Sequence, residues 1–319
     1  MMRMEEVKVV AVIGAGVMGS GIAQRFAEAG YQAHLHARHE ETLRAARDRI
    51  AKNQEAMVEA GLLSRPAAAD AFSRIQTTTH LEEAVGSAQF VNESVPEDLP
   101  LKHQIFAAMD RHAPPEAILS TNTSGLSITA IAAATTRPER VVGLHWMNPA
   151  QLMPPVEVTR GAKTSTAVMD FTCDLARRIG RIPIRVEKDV PGFLWNRLQF
   201  ALVREAIHLV EEGIASPEAV DMAVTAGLGL RWATVGPLQI MDLAGIQTFH
   251  AIASYLYPEL SAAKAPQRSL TEKVAQGHTG ARAGQGFYAY PPGAHEVAIA
   301  RRDAKLSALL RLRADGPDP

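Results

Sequence analysis

The sequence predicts an α/β protein with a mostly parallel sheet, followed by an all-α domain. Three observations carry this. Short β-branched runs alternate with helical stretches from Val7 to about Val186, and that alternation is the mark of βαβ units. A GxGxxG loop, Gly14-Ala15-Gly16-Val17-Met18-Gly19, joins the first run to the first helical stretch. After Asp189-Val190-Pro191-Gly192 the strand-like runs stop and helical spacing takes over. The 319 residues leave room for about two domains. We expect an α/β dinucleotide-binding domain over 1–188 and a helical substrate domain over 189–319.

In chain order, Val9–Ile13, Gln32–His36, Phe90–Glu93, Ala117–Leu119, Val141–His145 and Pro183–Val186 read as short buried strands, with Pro155–Thr159 a further extended run. Gly19–Ala29, Glu40–Ala60 and Leu101–Arg111 have helical character. Leu198, Leu202, Ala206, Leu209 and Val210 recur at helical spacing, which predicts one long amphipathic helix over Trp195–Gly213. Ser216-Pro217-Glu218 supplies an N-cap, a first-turn proline and a first-turn acid for the next helix. Helices are also expected over Pro237–Leu256, Ser269–Gln276 and, with a basic solvated face, near Ala298–Arg311; the tail Ala314–Pro319 reads as disordered.

Lys and Arg number 33 against 34 Asp and Glu, a net charge of −1. That balance gives no general electrostatic grip on nucleic acid or an anionic membrane. Cys173 is the single cysteine, so no intrachain disulfide forms, and it reads as a small buried hydrophobe in a helix. The start of the chain lacks the cleavage site of a signal peptide, and no segment reaches the roughly 18 apolar residues of a membrane span. The expectation is a cytoplasmic protein.

The glycine loop follows a strand, opens a helix and closes a βαβ unit at Gln32–His36, the context a dinucleotide site needs. Gly14 permits the tight turn, Gly16 lets a pyrophosphate approach the backbone, and Gly19 packs helix on strand. Val17 and Met18 start the helix whose free N–H groups face the phosphates. An NAD site usually has an acid at the end of the second strand; here stand Ala37 and Arg38. Without that carboxylate a 2′-phosphate is tolerated, and Arg38 can hold it bidentately. The other reading makes Arg38 an exposed base and gives the ribose to Glu40 or Glu41. His34 and His36 share a strand face with His39 nearby, but no carboxylate or thiol ligands accompany them, so no metal is expected.

His145 ends the Val141–His145 run, at the carboxyl end of a strand, where ligand groups gather in open α/β sheets. A turn through Pro149–Pro155 can return Glu157 to the imidazole, where its carboxylate would fix the tautomer of a general acid/base. A core histidine and an unrelated glutamate are the alternative. Ser120-Thr121-Asn122-Thr123-Ser124 can line a nicotinamide pocket, although Ser124 or Ser127 can equally cap a helix. Asn196 can donate to a substrate carbonyl.

These segments together resemble the 3-hydroxyacyl-CoA dehydrogenase family. The matching stretches are Gly14–Gly19, Ser120–Ser124, Gly143–Pro149 with Glu157, Asp189–Arg197 and Gly236-Pro237. The resemblance implies a Rossmann domain, a helical dimerisation domain, an NAD or NADP cofactor and hydride transfer at the substrate's C3. It makes His145 the general acid/base, oriented by Glu157, with Ser124 and Asn196 on the reacting oxygen. It also implies that Glu97, Lys102, Asn122 and Asn148 line the cofactor pocket. Gly227–Pro237, reading GLGLRWATVGP, departs from the short stretch of members that use CoA thioesters. It is similar to the branch acting on free hydroxy acids and polar alcohols, with gulonate and carnitine dehydrogenases, a pyridine-carboxylate alcohol dehydrogenase and λ-crystallin. In that branch Arg231 can hold a substrate carboxylate; a snorkelling helix-end arginine is its alternative. Arg49 and Lys52 lie where CoA-using relatives place basic residues, so an L-3-hydroxyacyl-CoA dehydrogenase of fatty-acid metabolism is the second reading. A non-catalytic dinucleotide-binding or crystallin-like protein is a third, which the presence of both His145 and Glu157 disfavours. The expected partners are a small hydroxy acid or acyl-CoA and a second copy of the chain.

Overall fold

In a computed structural model, residues 2–314 are described; the predicted disordered tail beyond Ala314 lies outside them. The chain divides into two compact units, Met1–Arg197 with the chain from Arg301 on, and Leu198–Ala300.

The first unit is built on eight strands: β1 Val9–Ile13, β2 Gln32–His36, β3 Ile75–Thr78, β4 Phe90–Glu93, β5 Ile118–Thr121, β6 Val141–Trp146, β7 Pro155–Thr159 and β8 Ile182–Val186. Their order in the sheet is β3-β2-β1-β4-β5-β6-β7-β8. The first six are parallel, β7 runs antiparallel to β6, and β8 is parallel to β7. This is the doubly wound order, with its switch point between β1 and β4.

Helices cover both faces, and side-chain alternation along the strands divides the core accordingly. Val10 and Val12 of β1 pack with α1 (Val17–Glu28), α2 (Glu40–Glu59) and, further on, α7 (Thr166–Arg178). Ala11 and Ile13 face the opposite layer, which holds α4 (Leu81–Val85), α5 (Leu99–His112) and α6 (Ile128–Ala132). A short α3, Arg65–Ser73, leads into β3. Cys173 is buried on α7.

One expectation about the sheet is corrected, and three elements of this unit were not foreseen. Pro183–Val186 belongs to β8, which is an outer and half-exposed strand rather than a buried one; a proline without an N–H fits such an edge. The edge strand β3 and the helices α3 and α4 were not legible, because Ile75-Gln76-Thr77-Thr78 buries Ile75 alone and the helices are short.

The second unit is helical. After α8 (Trp195–Glu211) come α9 (Pro217–Met222), a π-helix over Ala223–Leu228, α10 (Gly229–Trp232), α11 (Pro237–Ala244), α12 (Ile246–Leu256) and α13 (Arg268–Ala275); α14 (Ala294–Ala314) ends the description. The helical stretch expected over Pro237–Leu256 is two helices, because Gly245 sits at φ +96°, a conformation that no helix continues through. Of residues 198–300 Ile207 alone is buried. Leu198, placed on the buried stripe by its spacing, is 58% exposed, and Leu238 is 76% exposed.

Candidate active site

A cavity of about 610 Å³ opens at the carboxyl ends of β1, β2 and β4, at the switch point. Gly14, Ala15, Gly16, Val17 and Met18 form its floor. The three glycines play different steric parts. Gly14 has φ +109°, and a Cβ there would lie 2.4 Å from the Ser94 carbonyl oxygen. At Gly16 a Cβ would meet nothing within 4 Å, so the backbone is open to a ligand. A Cβ on Gly19 would lie 1.7 Å from the Gly14 oxygen, so this residue packs helix on loop and does not line the cavity. These features fit a dinucleotide: an open backbone edge beside Gly16 and the first turn of α1 facing it.

His36, Ala37, Arg38, His39 and Thr42 line the β2 end, whereas Ser94, Glu97, Asn122 and Ser124 line the β4–β5 end. Ser127, not Ser124, caps α6, its hydroxyl accepting from the Ala130 amide. Glu97 accepts hydrogen bonds from Thr123 Oγ1 and from the Ser124 and Gly125 amides. Burial works against its charge, but these bonds and the nearby Lys102 outweigh that and hold its pKa below the usual carboxylate range. Asn122 Oδ1 accepts from the Trp146 amide at 2.8 Å, which bonds the cavity's edge to the residue after His145.

His145 and Glu157 are register partners in the β6–β7 pair. Nδ1 of His145 lies 2.7 Å from Glu157 Oε2. The other carboxylate oxygen, Oε1, accepts the Leu194 and Trp195 amides at 2.9 and 2.8 Å. Glu157 is fully buried and His145 7% exposed, so the carboxylate is fixed on both oxygens. With Nδ1 donating to it, Nε2 of the imidazole is left with its lone pair. Asn196 Nδ2 donates to the Ser124 carbonyl at 2.7 Å, joining two further predicted residues.

Ser124 and Asn122 line the cavity itself, whereas His145, Glu157 and Asn196 are joined to it through the bonds to those two residues and do not line it, and further predicted residues lie elsewhere. Lys102 is buried, its ammonium 2.7 Å from Glu93 and 3.6 Å from Glu97, and it does not line the cavity. Asn148, before the cis peptide to Pro149, is exposed and also lies off the cavity. Arg231 is exposed in the second unit, directly after the π-helix. Arg49 donates to Ser20 Oγ at 2.8 Å and to the Gly16 carbonyl, while Lys52 is exposed. His34 Nδ1 lies 3.1 Å from the Ala84 carbonyl oxygen.

Sequence reasoning missed the aromatic walls. Phe193 and Trp195 place their rings 5.9 and 5.5 Å from the imidazole of His145. Phe193 reaches there in the left-handed region, at φ 47°, a strained position for a non-glycine residue. The signal was the run Pro191-Gly192-Phe193-Leu194-Trp195, in which a φ +77° glycine precedes two aromatics.

Residues 9–190 match the 3-hydroxyacyl-CoA dehydrogenase NAD-binding domain, and residues 192–290 match the C-terminal domain of the same family. The chain belongs to the 3-hydroxyacyl-CoA dehydrogenase family. Its first domain is the family's NAD-binding domain and its sheet is a Rossmann sheet. The 5-formyl-3-hydroxy-2-methylpyridine 4-carboxylate 5-dehydrogenase of Mesorhizobium japonicum is 34% identical, over 95% of this chain and 97% of its own. A probable 3-hydroxybutyryl-CoA dehydrogenase of Bacillus subtilis is 38% identical, over 89% of this chain and 98% of its own. A crystal structure of the pyridine-carboxylate dehydrogenase, described as an NAD⁺-dependent dismutase, has TM-score 0.91 and 33% identity, covering 98% of this chain and all of that one. This family member is an oxidoreductase that uses a nicotinamide dinucleotide. No helix of its described residues is long and apolar enough to cross a membrane.

Proposed function

We propose that the enzyme oxidises the alcohol of a small carboxylated molecule to the carbonyl, and catalyses the reverse, with His145 as general acid/base. The observation that carries this is the 2.7 Å His145–Glu157 contact at the carboxyl end of β6. His145 Nε2 takes the hydroxyl proton, and Glu157 stabilises the imidazolium that forms. Gly14–Gly19 would hold a nicotinamide cofactor, which would accept the carbinol hydride, or donate it in reverse. Ser124 and Asn196, held together by their own hydrogen bond, donate to the reacting oxygen. Glu97 and Asn122 line the nicotinamide end.

Two features support a free carboxylated substrate. Arg231 follows a six-residue π-helix, a distortion frequent at functional sites, and its guanidinium suits a carboxylate. The solved structure with TM-score 0.91 is of an enzyme of a carboxylated pyridine. The similarity to a 3-hydroxybutyryl-CoA dehydrogenase supports an acyl-CoA substrate in fatty-acid metabolism as the second reading. Initial rates of nicotinamide turnover decide between them, with acetoacetyl-CoA set against a panel of free hydroxy acids and hydroxymethyl or formyl pyridine carboxylates. Turnover of the thioester alone would reject the carboxylate reading and leave Arg231 without a part in it.

We also propose a homodimer formed through the helical unit, working in the cytoplasm. A unit of this length with Ile207 as its one buried residue has no core of its own, and its exposed Leu198, Phe200, Leu238 and Tyr257 form the kind of surface that a partner covers. Light scattering should give about twice 34.4 kDa; a monomer at micromolar concentration would reject the dimer.

A further inference from the structure

We propose that Arg38 makes this chain an NADP(H)-preferring member of its family, its guanidinium holding the adenosine 2′-phosphate where other members hold a bare ribose. The proposal rests on the dinucleotide-dehydrogenase reading above and goes beyond it, since both the family description and the pyridine-carboxylate relative speak of NAD.

The argument begins where β2 ends. His36 pairs with Ile13 in the sheet, and the chain then runs along the cavity through Ala37, Arg38, His39 and Thr42. In an NAD site this is the place of a carboxylate that accepts from the ribose hydroxyls, and whose charge repels a 2′-phosphate. Here the position holds the buried methyl of Ala37. The one carboxylate lining the cavity is Glu97, and it is bonded to Thr123, Ser124 and Gly125 at the far end. Glu40 and Glu41 occupy the first turn of α2, and neither lines the cavity. Glu82 is turned towards His80. Among the described residues, then, no acid lines this end of the cavity either to take the ribose or to exclude a phosphate.

Arg38 is exposed and makes no hydrogen bond or ion pair with a described residue. Its neighbours differ. Arg47 lies over the Phe72 ring and donates to the Ile75 carbonyl, and Arg49 is engaged by Ser20. Arg38 thus has its planar fork free for a dianion, which it can bind through two parallel hydrogen bonds. His36 adds an independent observation. It lines the cavity and is 6% exposed, the Thr79 backbone and Glu82 lie near its ring, and its Nδ1 makes no well-formed hydrogen bond with a described residue. A buried polar atom without such a bond is uncommon, and beside this end of the cavity a ligand oxygen would supply one.

The test is equilibrium binding to the full-length protein. NADPH and NADH are titrated separately and followed by the fluorescence of their nicotinamide, so no substrate is needed. NADPH should bind about tenfold more tightly than NADH, as one charge-assisted pair predicts. Arg38→Ala should lower that preference by about the same factor, and Ala37→Asp should reverse it. Tighter binding of NADH by the unaltered protein, or equal weakening of both dinucleotides in Arg38→Ala, would overturn the proposal and leave the dehydrogenase reading intact. Binding of neither dinucleotide would remove both.

Discussion

Glu157 answers His145 across the β6–β7 pair: the two are register partners, with Nδ1 2.7 Å from Oε2. The second oxygen of the same carboxylate receives two amides from the start of α8. One buried acid therefore holds both the imidazole and the helix that carries Trp195 and Asn196. Replacing His145 by Gln should lower kcat by about 10²-fold or more with dinucleotide affinity retained; unimpaired turnover would exclude the histidine as the acid/base. Glu157→Gln keeps an acceptor but removes the charge opposite the imidazolium, and should cost about tenfold or more in kcat.

The glycines of the loop separate folding from binding. Gly16 lies at φ −71° with open space where a Cβ would stand, so Gly16→Ala should leave the melting temperature nearly unchanged while weakening the dinucleotide. Gly19→Ala would drive a methyl into the Gly14 carbonyl and should destabilise by about 3 kcal/mol. Equal thermal stability of the two variants would contradict this division.

Lys102 and Glu93 form a pair with side-chain exposures of 1% and 0%. Lys102→Met leaves Glu93 buried with the Val95 amide and the Thr121 hydroxyl as its donors. The loss should be about 3–5 kcal/mol by urea unfolding. A variant of unchanged stability but weaker dinucleotide binding would instead return Lys102 to the cofactor pocket.

Asp189 joins the chain after β8 to the N-terminus of α6, accepting from Ser127 Oγ and from the Ile128 and Thr129 amides. Burial raises its pKa, but the bonds from Ser127 and Thr129 outweigh that and hold it below the ordinary value. A depressed carboxyl stabilises the fold above its unfolded pKa, and the contribution fades as pH falls through the folded one. Asp189→Ala should therefore cost about 1 kcal/mol near neutrality, with the gap to the unaltered protein narrowing below about pH 4. A gap independent of pH would show that the charge plays no part.

Local pattern was enough for much of the fold. The strand at Val9–Ile13, the glycine loop and the helix after it lie within one short stretch of chain, and so do the strand ending at His145 and the extended run carrying Glu157. Each is set by side-chain period and by backbone sterics that do not depend on distant residues. The edge strand Ile75–Thr78 was not readable, because an outer strand buries too little to show an alternation. The break at Gly245 was hidden inside an apolar helical pattern, since a glycine reveals its φ only once the chain is folded.

The site itself divides the same way. The residue types at Gly14–Gly19, Ala37-Arg38, His145 and Glu157 already carried the chemistry of a dinucleotide and an acid/base. Tertiary structure decided how they are used. It placed Lys102 on Glu93 instead of along the cavity, tied Arg49 to the glycine loop, and left Arg38 free. It also closed aromatic walls around His145 from a segment about 50 residues away in sequence. The physical reason is that charge pairing and burial are decided by which groups meet in space, and hydrogen-bond partners between β4 and α5, or between β7 and α8, have no sequence period to announce them.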